Sequence, residues 1–141
     1  MAGLLPQPGL IIPYFYLWRR EHEAGEESGR KARPVMVVIS DDAAGRRRVA
    51  VAPVTSREPD ATRRAVEIPR RVLTHLGLPA RRSWVICDEF NAFDWPGPDV
   101  HVTPEGKPSF GHVPGAFIER IRAEMRTARD HGALKSVPRS E

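Results

Sequence analysis

The sequence predicts a mainly β protein of the α+β class: a small, strongly bent antiparallel sheet or partly open barrel with a C-terminal α-helix. Three observations support this prediction. The chain has 141 residues, a length that suits one hydrophobic core of ordinary size. Short runs of β-branched and aromatic residues alternate with turn residues along most of the chain. Only one stretch, near the C-terminus, has the apolar spacing of a long amphipathic helix.

The first strands flank a charged loop. Residues 9–18 are rich in branched and aromatic side chains and predict a strand, which Pro13 breaks or places at an edge. Residues 19–33 carry charges and glycines without a strand pattern, and we expect a long mobile loop there. Residues 34–40 follow directly as a buried strand. Arg33 therefore stands at the rim of a core strand, open to solvent on a rigid element.

Further strands and one short helix follow in the middle of the chain. Turn residues 41–45 lead into a strand at 47–55, which predicts a hairpin with the preceding strand. Residues 65–68 and 83–88 predict two more short strands, and residues 69–76 one or two helical turns between them.

The last third contains the main helix. The sequence predicts a bend through residues 91–98 and a short strand at 99–103. A helix is predicted from Pro114 to Asp130, with a buried face of apolar residues. We expect residues 1–8 to be an irregular lead-in, residues 9–130 to form one domain, and residues 131–141 to form a flexible tail. The buried face is formed by Phe117, Ile118, Ile121, Met125 and Ala128.

The net charge of +4 is unevenly distributed. Residues 1–82 contain 15 Lys and Arg against 9 Asp and Glu, whereas residues 83–141 contain 7 against 9. Many of the arginines occur in pairs or, at Arg46, Arg47 and Arg48, in a triplet. This pattern suits a phosphate-rich or acidic partner, although arginine pairs can also point in different directions.

Several classes of function are disfavoured. No apolar run approaches the ~20 residues of a membrane span, and a secretory signal pattern is absent, so we expect a cytoplasmic protein. The single cysteine, Cys87, has apolar neighbours and is expected to be a small core residue. The histidines show no metal-ligand spacing, and no metal or other cofactor is predicted.

A series of short motifs resembles the PemK/MazF family of toxin–antitoxin ribonucleases. The order and spacing of the motifs along residues 9–129 carry the resemblance. It implies an SH3-like barrel, a homodimer, and metal-independent cleavage of single-stranded RNA that an antitoxin protein restrains. The motifs are Gly9-Leu10-Ile11, Gly25-Glu26-Glu27-Ser28-Gly29, Arg33-Pro34-Val35-Met36-Val37-Val38, Pro53-Val54-Thr55-Ser56, Cys87-Asp88-Glu89 and Phe110-Gly111-His112-Val113.

The resemblance also implies site residues. The family's catalytic arginine falls on Arg33 and its threonine on Thr55, followed by Ser56 as an RNA contact. After the fifth strand, Asp94 matches the family pattern, whereas Asn91 stands where some members have a second active-site arginine. Asn91 and the triplet Arg46, Arg47 and Arg48 are the other predicted RNA contacts.

The same roles follow from chemistry. Metal-free cleavage requires the 2′-hydroxyl of RNA to lose a proton and attack phosphorus, which builds negative charge that Arg33 can stabilise. Thr55 can donate a hydrogen bond to a phosphate oxygen. His22, in the predicted loop, is the first candidate for the general base and Asp94 the second.

Two other functions remain open at this stage. A diverged barrel that binds nucleic acid or an antitoxin without cutting RNA is compatible with Asn91 and with the uncertain base. A related gyrase-poisoning protein is less compatible, because the C-terminal aromatic anchor that this resemblance implies is missing after Phe117. The aromatic residues Tyr14, Phe15, Tyr16 and Trp18 are expected to lie partly outward and to form the homodimer interface.

Overall fold

The computed structural model describes residues 5–23 and 31–137, with eight strands and three helices in these ranges. No helix in this part of the chain has both the length and the apolar character needed to cross a membrane. The elements are β1 (Leu10–Tyr14), α1 (Arg19–Glu23), β2 (Arg33–Ala43), β3 (Arg46–Thr55), β4 (Ala65–Glu67), α2 (Arg70–Leu76), β5 (Trp84–Ile86), β6 (Glu89–Asp94), β7 (Gly111–His112), α3 (Gly115–Asp130) and β8 (Lys135–Val137).

The predicted mainly β fold is confirmed, with one bent sheet that does not close into a barrel. The strands lie in the order β4-β5-β3-β2-β1-β7, and β6 joins β3 outside this path. The last strand, β8, pairs with β6 in parallel, whereas the other pairs are antiparallel. One edge of β3 pairs with β6 near its start and with β5 at its end, so β3 lies where the sheet divides.

The β2–β3 hairpin is confirmed and fixes the ends of both strands. Its turn is Ala44-Gly45, with φ angles of 52° and 79°, a conformation that suits a two-residue hairpin turn. The pairing runs from Ala43 with Arg46 to Val35 with Pro53, with an irregularity between Val37 and Ile39. Continuing this register places the start of β2 beside the end of β3. Arg33 and Thr55 therefore lie at the same end of the hairpin.

The predicted buried face of α3 is confirmed. Phe117, Ile118 and Ile121 and their neighbours on that face pack in one cluster with residues of β2 and β3, among them Met36 and Ala52. This packing covers one side of the sheet.

A second cluster corrects the prediction of an outward aromatic patch. Tyr14, Tyr16 and Trp18 are only 1%, 1% and 4% exposed. Phe93 of β6 stacks on Tyr14 with ring centroids 4.7 Å apart. Phe15 is partly buried beside His101. Tyr14, Tyr16 and Trp18 therefore belong to the interior, and Phe15 alone does not make an exposed aromatic patch.

Several predicted boundaries differ from the structure. The strand predicted over residues 9–18 is limited to Leu10–Tyr14. Residues 19–23 form α1 and not part of a loop, while residues 24–30 lie outside the described residues. The bend predicted from residue 91 is instead strand β6. Residues 99–103 form no strand and contribute one isolated bridge, from Val100 to Tyr14. Within the expected flexible tail, Lys135–Val137 form β8, because the buried Val137 pairs with Asn91.

Candidate active site

Arg33 begins β2 and lies against the indole of Trp18. The centre of its guanidinium is 5.0 Å from the ring centroid, and that of Arg20 lies at the same distance. Burial lowers the pKa of Arg33; Glu21 opposes this effect, and Arg20 adds to it. A guanidinium keeps its charge at physiological pH nonetheless. Its Nε is buried and has no hydrogen-bond partner among the described residues, so Arg33 has a donor available for a ligand.

Thr55 ends β3 with its hydroxyl in a defined orientation. Its Oγ1 accepts a hydrogen bond from the backbone N–H of Arg57 over 3.1 Å. The hydroxyl hydrogen has no acceptor within residues 5–23 and 31–137, so it can be donated to a ligand. Ser56, the next residue, is exposed. The hairpin thus presents a hydroxyl donor beside the Arg33 guanidinium.

Arg33, Thr55 and Ser56 line one cavity of about 440 Å³, here called the Arg33 cleft. Five Lys or Arg and two Asp or Glu side chains contribute to its lining. Arg20, Lys31, Arg33 and Arg57 make no ion pair within the described residues. A site with unpaired cations, fixed donors and an aromatic wall suits a phosphate-bearing ligand. Its basic residues are Arg20, Lys31, Arg33, Arg57 and Arg63, and its acidic residues are Glu58 and Asp60.

Two inward side chains of β6 hold the segment that carries Trp18. Asn91 accepts a hydrogen bond from the backbone N–H of Leu17 over 2.8 Å and donates one to the Leu17 carbonyl over 2.9 Å. Glu89 accepts hydrogen bonds from the Tyr16 hydroxyl, over 3.1 Å, and from the backbone N–H of Arg19, over 2.9 Å. The segment 16–19 is therefore fixed at four points, and Trp18 is held against Arg33.

Arg63 lines the Arg33 cleft and also binds Glu89, one of the two residues that hold segment 16–19. Its guanidinium makes a two-point contact with Asp88, at 2.6 and 3.0 Å, and donates to Glu89 over 2.9 Å. The hydrogen bond to Asp88 is the main reason why the pKa of Arg63 is raised, although burial opposes it. Glu89 is 3% exposed, so its negative charge requires this partner.

The arginine triplet and Asp94 lie at the other end of the hairpin. Arg46 and Arg48 donate to the two oxygens of Asp94, at 2.8 and 3.1 Å, and Arg47 pairs with Asp42 at 3.1 Å. Arg48 precedes Thr55 by seven positions on β3, which is about 23 Å along a strand. The structure therefore separates Asp94 from the Arg33 cleft and argues against its role as the general base. The predicted RNA contacts at Arg46, Arg47 and Arg48 are occupied by these ion pairs.

Two other predicted site residues have different outcomes. Asn91 is 0% exposed, and its side-chain oxygen and nitrogen each bond to the backbone of Leu17, which argues against the predicted contact with RNA. His22 belongs to α1, but its side chain lies outside the described residues. His22 thus stays a prediction, while Asn91 has a supporting role behind Trp18.

A family model for PemK-like and MazF-like toxins of type II toxin–antitoxin systems matches residues 15–98. This match spans more than half of the chain. The chain belongs to this toxin family. No curated protein and no solved structure matches it significantly. The family assignment makes the chain a toxin of a type II system and implies an antitoxin as its partner.

The matched range contains every residue that lines the Arg33 cleft. The supporting residues of β6, Glu89 and Asn91, also lie within it. Helix α3 and strand β8 follow after the range ends at residue 98. The part of the chain that identifies the toxin family is thus also the part that forms the cleft.

Several residues of the cleft are not predictable from the sequence. Trp18 is predicted only as a strand and interface residue, and no individual role is predicted for Arg20, Lys31 or Arg57. Two of them could have been found from their position in the sequence, because Lys31 lies two positions before Arg33 and Arg57 two positions after Thr55. Trp18 and Arg20 have no such signal, since β6 places them there by contacts over 70 positions or more.

The cysteine prediction is confirmed. Cys87 is 0% exposed. Burial raises the pKa of its thiol to about 12, so the thiol stays protonated at neutral pH. Within residues 5–23 and 31–137, no three His, Cys, Asp or Glu side chains are grouped so that they could hold a metal ion.

Proposed function

We propose that this toxin is an endoribonuclease that cleaves single-stranded RNA by attack of a 2′-hydroxyl on the adjacent phosphorus. The observation that carries the proposal is the partly buried Arg33, whose Nε has no partner in the described part of the chain, beside the Thr55 hydroxyl in a cleft with a cationic surplus. Family membership supports the same activity.

In this mechanism Arg33 binds the phosphate that reacts. As the 2′-oxygen attacks, the pentacoordinate phosphorus gains negative charge, and a fixed guanidinium stabilises that state more than the starting phosphate. Thr55 donates its hydroxyl hydrogen to a phosphate oxygen. The bond between phosphorus and the 5′-oxygen breaks, and the 5′-oxygen takes up a proton from water and leaves as a hydroxyl. The other product carries a 2′,3′-cyclic phosphate. The packing of Arg33 on Trp18 holds the guanidinium in place before RNA arrives.

The proton of the 2′-hydroxyl must go to a base. His22 on α1 is the candidate that we retain, since α1 follows Trp18 directly and an imidazole has a suitable pKa. Replacing His22 by alanine should remove the alkaline-rising limb of the pH–rate profile. An unchanged profile would assign the base to another residue.

The test of the proposed function uses purified toxin and single-stranded RNA in EDTA. We expect cleavage with 2′,3′-cyclic phosphate ends, and a loss of about 100-fold or more in the Arg33→Ala variant. Because Arg33 has no ion pair within the described residues, its removal leaves no carboxylate unpaired there, and the variant should fold. Arg46→Ala, which removes an exposed arginine at the other end of the hairpin, is the matched control and should keep full activity.

Two outcomes would contradict the proposal. Full activity of Arg33→Ala would remove Arg33 from the reaction. Binding of RNA without any cleavage by the unmodified toxin would favour the second candidate, a diverged protein that binds nucleic acid. The observation that supports this second candidate is Asn91, which occupies the place of an arginine in some family members and is buried.

We further propose that the toxin acts in the cytoplasm as a two-fold homodimer. This part rests on the resemblance to the family, since three of the four aromatic residues expected at the interface, Tyr14, Tyr16 and Trp18, are buried. Light scattering should give twice the monomer mass of 15.8 kDa. A monomer mass at micromolar concentration would contradict the dimer.

A further inference from the structure

The Arg33 cleft continues into two neighbouring cavities. A connecting cleft of about 200 Å³ shares Lys31, Arg33 and Ser56 with it. A larger cavity of about 760 Å³, here called the Trp84 cleft, shares Ser56 and Ala80 with the connecting cleft. The strand register explains this proximity, since Trp84 pairs directly with Thr55, and paired Cα atoms in antiparallel strands are about 5 Å apart.

The charge of the protein is concentrated along these three clefts. Their lining contains eight different Lys or Arg side chains and three Asp or Glu, a surplus of five. The whole chain has a net charge of only +4. In the Trp84 cleft, Arg70 and Arg81 make no ion pair within the described residues. A polyanion that leaves the Arg33 cleft in this direction therefore meets further unpaired cations.

Arg82 forms a flat platform in the Trp84 cleft. Its guanidinium lies 4.8 Å from the ring centroid of Trp84. Glu67 holds it with two hydrogen bonds, from Nε over 2.8 Å and from Nη2 over 2.9 Å. The side chain remains 56% exposed. A guanidinium held in this way can stack its free face on a nucleobase, as arginine does in many RNA complexes.

We propose that the Trp84 cleft binds the nucleotides next to the cleavage site, with phosphates on Arg70 and Arg81 and a base stacked on Arg82. The proposal rests on the proposed ribonuclease function and adds to it the path of the RNA strand. Cations arranged along a channel and a planar stacking surface together are the usual features of single-strand recognition. The ion-paired triplet at Arg46, Arg47 and Arg48 lies outside this path.

The test measures binding, so that it does not depend on cleavage. The probes are a tetranucleotide and a dodecanucleotide with 2′-O-methyl groups, which block the attacking hydroxyl. The dissociation constant is measured at several salt concentrations for the unmodified toxin and for the double variant Arg70→Ala/Arg81→Ala. We expect the salt slope of the longer probe to fall by about 0.7 for each phosphate that the variant no longer binds. The tetranucleotide should be bound equally well by both proteins.

A second variant separates stacking from charge. Arg82→Lys keeps the positive charge but removes the planar group, so affinity for the longer probe should fall about tenfold with an unchanged salt slope. The matched control is Arg46→Ala/Arg48→Ala, which removes two exposed arginines at the far end of the hairpin and should change neither affinity nor slope. Circular dichroism and thermal melting check that each variant is folded.

The outcomes distinguish failure of the path from failure of the function. No binding of either probe by the unmodified toxin would contradict the ribonuclease proposal itself. Normal RNA binding with an unchanged slope in Arg70→Ala/Arg81→Ala would overturn the path alone, as would an equal loss in the control. If that variant keeps RNA binding but loses binding of an oligoglutamate peptide, the cleft belongs to an acidic protein partner and the RNA path is wrong.

Discussion

Among the arginines that the structure describes, Arg33 alone combines partial burial with a buried donor that has no partner. Arg46 is exposed, and Arg63 is engaged by Asp88 and Glu89. A desolvated, unpaired guanidinium interacts more strongly with an incoming phosphate than a hydrated one, because less water has to be displaced. The sequence identified Arg33 correctly as a strand-rim residue, but the contact with Trp18 that holds it was not predictable from neighbours in sequence.

Cys87 gives a prediction about alkaline stability. Burial raises the pKa of its thiol from 9.0 to about 12. Between these values the folded protein keeps a proton that the unfolded chain has released, so the free energy of unfolding falls as pH rises. The decrease reaches at most about 1.4 kcal/mol per pH unit. Urea unfolding at increasing pH should show a flatter decline for Cys87→Ala.

The decline should not vanish in that variant. Tyr16 is also buried, which raises the pKa of its hydroxyl, with the nearby Glu89 adding to the effect. Its contribution should appear above pH ~10. Val85→Ala is the control, because it removes a buried apolar group and should lower stability equally at every pH. If the free energy of unfolding falls with pH equally steeply in Cys87→Ala and in the unmodified protein, the Cys87 thiol does not contribute to the alkaline loss of stability.

At the scale of elements, β6 is where the sequence prediction was weakest. Its residues alternate between buried and partly exposed, but two of the three inward positions are Glu89 and Asn91. A strand is recognised in a sequence by apolar residues at every second position, and a polar residue at an inward position interrupts this pattern. Their partners lie in segment 16–19, 70 or more positions away. The β2–β3 hairpin, in contrast, was predictable because its turn and its apolar runs are local.

Helix α1 and strand β8 escaped prediction for related reasons. The α1 sequence Arg-Arg-Glu-His-Glu contains no apolar residue and has the composition of a solvated loop. Its start depends on Glu21, which accepts from the Trp18 N–H over 3.1 Å, and on Glu89, which accepts from the Arg19 N–H. Strand β8 has three residues and exists through parallel pairing with β6. Elements that depend on distant partners leave little signal in the local sequence.

The role of β6 gives a prediction for Asn91→Ala. The substitution leaves the backbone N–H and C=O of Leu17 buried without partners, which should lower the free energy of unfolding by about 3 kcal/mol. Segment 16–19 also loosens, so Trp18 no longer holds Arg33. At a temperature where the variant stays folded, we expect cleavage to slow while affinity for non-cleavable RNA changes little.

The control for this prediction is Ser136→Ala on the neighbouring strand β8, where the side chain is exposed. Chemical denaturation and single-turnover cleavage measure the two effects separately. A variant that loses stability but cleaves at the normal rate would show that Asn91 supports the fold without positioning the site.

At the scale of the whole molecule, the toxin is strongly polarised. The three connected clefts carry a surplus of five positive charges, so the remainder of the chain is slightly acidic. Such a distribution steers polyanions to one face and weakens their binding as salt rises. RNA is one such polyanion, and an acidic segment of the antitoxin would be another.

RNA and an acidic segment should therefore exclude each other, because the same guanidinium groups cannot bind phosphates and carboxylates together. We expect a short oligoglutamate peptide to inhibit cleavage competitively, raising KM for RNA and leaving kcat unchanged. An oligoserine peptide of equal length is the uncharged control. The inhibition should weaken steeply as salt increases. The double variant Arg70→Ala/Arg81→Ala should be inhibited less than the unmodified toxin only if the peptide is long enough to reach the Trp84 cleft. A fall in kcat at constant KM would place the acidic peptide outside the clefts and would mean that the antitoxin controls this toxin from a separate surface.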